Sequence, residues 1–177
     1  MEDEMRRIKK RFYKSPSLLS LVIGVYLIGI VVGSISYTMS SAAALSAAEL
    51  AQELGATRLC ALSIVVAYFF SFSLLGALMA FMSACFFGYI VGACSASLLS
   101  LGTLEGIFTG VPFLAFSAPA VILLCSACAA SSVSMIRAFP EIKGRSDFAK
   151  TSGTLITSTG VAVLFLFFSA VVELFLK

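Results

Sequence analysis

The sequence predicts an all-α fold: a polytopic membrane helix bundle of about five transmembrane helices with a cytoplasmic N-terminus. Three observations predict it. The chain of 177 residues is 60% hydrophobic and only 12% charged, with a mean hydropathy of +1.06. Soluble domains carry roughly 25% charged residues, so a water-exposed surface of this size lacks the charges to cover it. The charges are also clumped. Ser15–Ala48, Leu59–Leu104, Gly106–Ile136 and Thr151–Val172 are free of Asp, Glu, Lys and Arg over 34, 46, 31 and 22 residues. A crossing helix needs about 20 apolar residues, so these runs hold one, two, one and one. Finally, the basic residues gather in two short segments that flank apolar runs, which is a topology signal rather than a nucleic-acid surface. The length fits one domain.

Taken in order, residues 1–15 form a basic cytoplasmic segment with Arg6, Arg7, Lys9, Lys10, Arg11 and Lys14. The remainder, 16–177, reads as a single integral membrane domain. The first span is 16–37. A cleavable signal peptide is the rival reading of this region, but its apolar stretch is longer than the usual ~7–15 residues, which favours a retained span. Residues 40–58 are Ala-rich and form an external helical loop, capped by Ser40 or Ser41 and stopped at Gly55. Its stripe is Ala43, Ala47, Leu50 and Leu54. The second span is 59–82 and the third 84–101, joined by a tight turn at Ser83. The fourth covers 107–136, where Pro112 sits in a short entry piece and the main helix starts near Pro119. Residues 137–151 form the second basic, cytoplasmic loop, with Pro140 stopping the helix before it and Gly144 marking a turn. The fifth span is 155–175. Starting inside, four crossings bring 137–151 back to the cytoplasm, so both basic segments share a side.

Parts for catalysis are scarce. The chain has no His, which removes a Ser-His-Asp triad, a Cys-His pair and His-ligated zinc. No phosphate loop and no G-x-S-x-G occurs. The predicted spans contain no Asp, Lys or Arg, so a proton relay lacks its members. Glu105 and Glu173 stand at predicted span ends, and Glu105 is the one candidate polar site. Cys125-x-x-Cys128 has redox or metal spacing but reads as small packing residues among Ala and Ser. The expected protein is no enzyme, holds no cofactor or metal, and takes lipid rather than nucleic acid as its surroundings.

Glycine spacing is the strongest signal. Gly29-x3-Gly33 falls in the first span and Gly88-x3-Gly92 in the third, while Gly102, Gly106 and Gly110 repeat every four residues before the fourth. Glycines four apart share a helix face and admit a neighbouring backbone. Ser126, Ala130 and Ser134 form a similar face, as do Ala127 and Ser131. Such faces serve packing within the chain, another protein, or a second copy in a homo-oligomer. Pro112 and Pro119 make a bent entry into the fourth helix, tolerated where protein satisfies the freed carbonyls.

These features together resemble the stage II sporulation protein M family. The resemblance lies in the basic head, the early span "IGVYLIGIVVGS", the external helical loop, "FFGYIVG" at 86–92, the prolines at 112 and 119, and "SMIR" closing a small-residue helix before a basic loop. It implies a non-catalytic, multi-pass scaffold of the bacterial cytoplasmic membrane that anchors peptidoglycan hydrolases during forespore engulfment. Its partners would be those cell-wall hydrolases. A small-molecule transporter, or the membrane subunit of a transport system, is the alternative that the proline-broken helix and Glu105 suggest.

Overall fold

The computed structural model describes residues 16–71, 73, 75–101, 117–138 and 144–176. The described residues contain five helices and no strand: α1 Pro16–Thr38, α2 Ala42–Phe70, α3 Gly76–Leu101, α4 Ala118–Ala138 and α5 Gly144–Leu176. Four stretches, Leu18–Thr38, Gly76–Ser100, Ala118–Met135 and Gly153–Val172, are long and apolar enough to cross a membrane. The outward faces agree with that setting: Leu27, Ile28, Val31 and Val32 of α1 and Leu164, Phe167 and Phe168 of α5 are exposed. A row of that kind is disfavoured in water and at home in lipid. The protein is therefore membrane-embedded.

α1 coincides with the expected first span. The second and third spans do not lie where the sequence placed them. No turn occurs at Ser83; α3 runs through it without a break, and Gly76–Met82, expected in the second span, belongs to α3. The turn is at Ser71–Leu75 instead. Serine hydroxyls close it, because Ser71 Oγ donates to Tyr68 O at 2.6 Å and Ser73 Oγ to Phe70 O at 2.9 Å. Each hydroxyl joins the backbone N–H of its own residue on the same carbonyl, so the last turn of α2 is closed twice over. What remains of the second span is Arg58–Phe70, an apolar helix too short to rank with the four. At 1.5 Å per residue it covers about 20 Å.

The 40–58 helix also differs in detail. α2 begins at Ala42, with Ser41 at the N-cap position but making no side-chain capping bond. It is broken at Gly55, whose φ of 75° and ψ of 163° suit glycine alone, and then continues as α2's apolar part. Of the expected stripe, Ala47 and Leu54 pack partly against the core, but its first member does not. Ala44 and Ala48 are buried, Ala43 is exposed and Ala47 half-buried, while the side chain of Leu50 lies outside the described residues. Near the C-terminus, α5 starts at Gly144 rather than 155, so most of the expected 137–151 loop is helix. Hydropathy marks only the lipid-dwelling part of a helix, and residues 145–150 extend it with a polar turn. α4 stops at Ala138, ahead of Pro140, as the constraint on the residue before proline requires.

Four contacts fix the directions. Cys60 Sγ donates to Ser117 O at 3.6 Å and Ser132 Oγ to Ser73 O at 2.9 Å, so the later part of α2 runs alongside α4 in the same sense. A Cβ on Gly76 would lie 3.1 Å from Ser132 Cβ, so α3 starts near the end of α4 and runs against it. Ser117 and Ser169 bring their hydroxyls to 3.4 Å, which makes α5 antiparallel to α4. α4 touches each of the other four helices. Around it lies one core that includes Tyr26, Phe87, Val121, Leu124, Cys128 and Leu155.

Candidate functional site

The two Gly-x3-Gly pairs meet each other. Building a Cβ on Gly29 drives it into the carbonyl oxygen of Cys85, and on Gly33 into that of Tyr89. In return a Cβ on Gly88 strikes Tyr26 O, and one on Gly92 strikes Ile30 O. Both partners rise together along their helices, so α1 and α3 are parallel. Each glycine therefore turns a Cα hydrogen towards a carbonyl of the other helix, the geometry of an interhelical Cα–H···O contact. All four glycines are buried. Ser34, one position beyond Gly33, completes the interface by donating Oγ to Gly92 O at 3.1 Å. Tyr26 and Phe87 stack at one edge with ring centroids 6.4 Å apart.

Lipid gives helices no hydrophobic reason to associate, so such close approach supplies the attraction through dispersion and weak hydrogen bonds. A single added methyl at any of the four positions would push the backbones apart. By contrast, a Cβ at Gly24, Gly153 or Gly160 meets nothing within 4 Å. Spacing alone had identified the four interlocked glycines as helix faces; it could not say that the faces belong together.

The remaining expected positions fare differently. Ser126, Ala130 and Ser134 stay half-buried on α4 and join no glycine face. Ser126 Oγ donates to Leu123 O and Ser134 Oγ to Ser131 O, both at 2.8 Å within their own helix. The buried face of α4 is the one with Ala127, Cys128 and Ser131. Pro119 is the second residue of α4, where its missing N–H costs no helix bond. Gly102, Gly106, Gly110, Glu105 and Pro112 lie outside the described residues, as does the side chain of Glu173.

Sequence reasoning missed the hydroxyls that tie one helix to the next: Ser132 to the α2–α3 turn, and Ser117 to Ser169. Serine among alanines gives no periodic signal for them. Two buried groups, Tyr26 Oη and Ser131 Oγ, have no hydrogen-bond partner among the described residues. All five cysteines are free thiols, and Cys60, Cys94, Cys125 and Cys128 are buried. Among the described residues no three His, Cys, Asp or Glu side chains converge on a point that would hold a metal. No protein-family model, curated protein or solved structure matches the chain.

Proposed function

We propose that this chain is a non-catalytic integral membrane scaffold of an envelope-remodelling complex, set in a bacterial cytoplasmic membrane. The observation that carries the reading is the α1–α3 interlock. The chain's most distinctive residues hold two helices together at backbone contact, and the core hydroxyls of Ser34, Ser71 and Ser132 are bound to carbonyls. The chain supplies no histidine, and its long apolar runs supply no Asp, Lys or Arg. A rigid frame that positions other proteins needs none of these. The kinship to the sporulation scaffold suggested by "FFGYIVG" and the two prolines belongs to the same proposal, with cell-wall hydrolases as partners. Purification from native membranes in mild detergent is expected to bring such hydrolases along. A stoichiometric, partner-free preparation from cells in the relevant growth stage overturns the reading.

The reading includes five crossings and a cytoplasmic N-terminus. Helix direction supports both. The chain enters α1 and passes from α4 to α5 at one end of the bundle, because α3 is parallel to α1 and starts beside Ser132 near the end of α4. The Lys- and Arg-rich segments 1–15 and 137–151 adjoin those two points, as the positive-inside pattern favours. The later part of α2 then makes the return crossing between α1 and α3. A reporter active only outside the cell, fused at residue 145, is expected to be silent; activity there breaks the topology.

A transport function is the second reading. The buried hydroxyls of Tyr26 and Ser131, without a partner among the described residues, favour it, since a polar cargo or a water file would satisfy them. Thermal stabilisation by a small metabolite, abolished in Tyr26→Phe, would select this reading over the scaffold.

A further inference from the structure

The later part of α2 is the short side of the bundle. Arg58–Phe70 rises about 20 Å from the Ser71–Leu75 turn, whereas the apolar part of α3, Gly76–Ser100, rises about 37 Å from the same turn. The Leu18–Thr38 stretch of α1, interlocked with α3, rises about 32 Å. The hydrocarbon core of a bilayer is about 30 Å thick. α1 and α3 reach across it, while the later part of α2 falls about 10 Å short.

A cation stands at the top of that short side. Arg58, Leu62, Val65 and Phe69 follow one another at helical spacing on one face of α2, and all four are exposed. The other face, with Cys60, Ile64 and Ala67, is buried in the main core. Cys60 Sγ on Ser117 O and Ser132 Oγ on Ser73 O pin this part of α2 to α4 at both ends, so it is not free to slide and lift Arg58. Arg58 therefore heads a lipid-facing row, in a bundle whose α1 and α3 stay apolar past its level.

Two responses relieve a cation so placed. Its long stem reaches towards the nearer surface, and the bilayer thins locally to bring headgroups down to it. A guanidinium then offers a planar fork that fits two phosphate oxygens at once, and charge-assisted bonds of this kind gain strength where water is scarce.

We propose that Arg58 binds the phosphate of a phospholipid of the outer leaflet, drawn inward over the short face of α2. The occupant is a lipid rather than a soluble anion, because the row of Leu62, Val65 and Phe69 directly below provides the bed for acyl chains of the same molecule. The inference goes beyond the scaffold reading and rests only on the later part of α2 making its crossing.

The chain contains no Trp, so a single introduced indole reports its own depth. The full chain is placed in phosphatidylcholine vesicles that carry a nitroxide either on the headgroup or at mid-chain. Leu62→Trp, one turn below Arg58, is expected to be quenched at least about twofold more strongly by the headgroup label, and adding Arg58→Gln is expected to reverse that order. An order that Arg58→Gln leaves unchanged overturns the proposal. Added inorganic phosphate is expected to leave the order intact; a reversal by free phosphate assigns Arg58 to a soluble anion and overturns it too. Val65→Trp keeps the topology separate. Its quenching by the mid-chain label places α2 in the bilayer, so that a negative Leu62→Trp result counts against the lipid site alone. If neither label quenches Val65→Trp, the later part of α2 does not cross, and the topology and the lipid site fall together.

Discussion

Ser34 of α1 donates its hydroxyl to the carbonyl oxygen of Gly92 in α3 at 3.1 Å, across 58 residues of sequence. The same glycine turns its Cα towards Ile30 O, one turn of α1 earlier. Gly92 is thus gripped through both its Cα hydrogen and its carbonyl, and a side chain there has nowhere to go.

Gly92→Ala is therefore expected to destabilise the bundle by about 1–3 kcal/mol, since the backbones must separate along their whole contact. Gly24→Ala is the matched control, because a Cβ there meets nothing within 4 Å. It should stabilise α1 by about 0.5–1 kcal/mol through helix propensity alone. Reversible unfolding in mixed micelles reads both; equal effects would refute the interlock.

Ser132 and Ser126 sit on the same helix with different duties. Ser132→Ala removes the bond to Ser73 O and leaves the α2–α3 turn short of a donor, a loss of about 0.6–1.7 kcal/mol for an interhelical bond in a membrane. Ser126→Ala removes only a bond to the preceding turn of its own helix and should be neutral or mildly stabilising. Thermal denaturation of the two variants is expected to rank them in that order.

Tyr26 Oη is buried with no partner among the described residues. Removing an unsatisfied polar atom while keeping the ring relieves a desolvation cost, so Tyr26→Phe should be neutral or stabilising by about 1 kcal/mol. Tyr26→Ala, which also abandons the stack on Phe87, should cost about 3–5 kcal/mol. A destabilised Phe variant would reveal a bound polar group at this hydroxyl.

Gly55 holds φ 75° and ψ 163°, a region that side chains avoid. Gly55→Ala is expected to cost about 1–3 kcal/mol or to straighten α2 and detach its first part from Ala93. Circular dichroism showing unchanged helix content together with an unchanged melting temperature would contradict this.

Much of this architecture was legible in the residues. Pro16–Thr38 stands out because a charged head and a polar stretch bracket it, and the four interlocked glycines declare their faces by spacing. The turn between α2 and α3 was not legible. Its 46-residue run contains no charge and no proline, and the break is made by Ser71 and Ser73, residues equally at home inside a helix. The inward face of the first part of α2 is only half legible for a related reason: with alanine at 42, 43, 44, 47, 48 and 51 the alanine registers look alike, and contact with Ala93 turns Ala44 and Ala48 inward. The start of α5 escaped because hydropathy measures affinity for lipid, whereas residues 145–150 are polar in sequence and helical all the same.

The parallel pairing of α1 with α3 also sets an order of manufacture. When α1 leaves the ribosome, the chain that will fill its groove has yet to be made; Gly29 and Gly33 must wait until residue 89 emerges, and Ser34 until residue 92. A nascent chain arrested before that point would present a bare glycine groove to whatever else shares the bilayer.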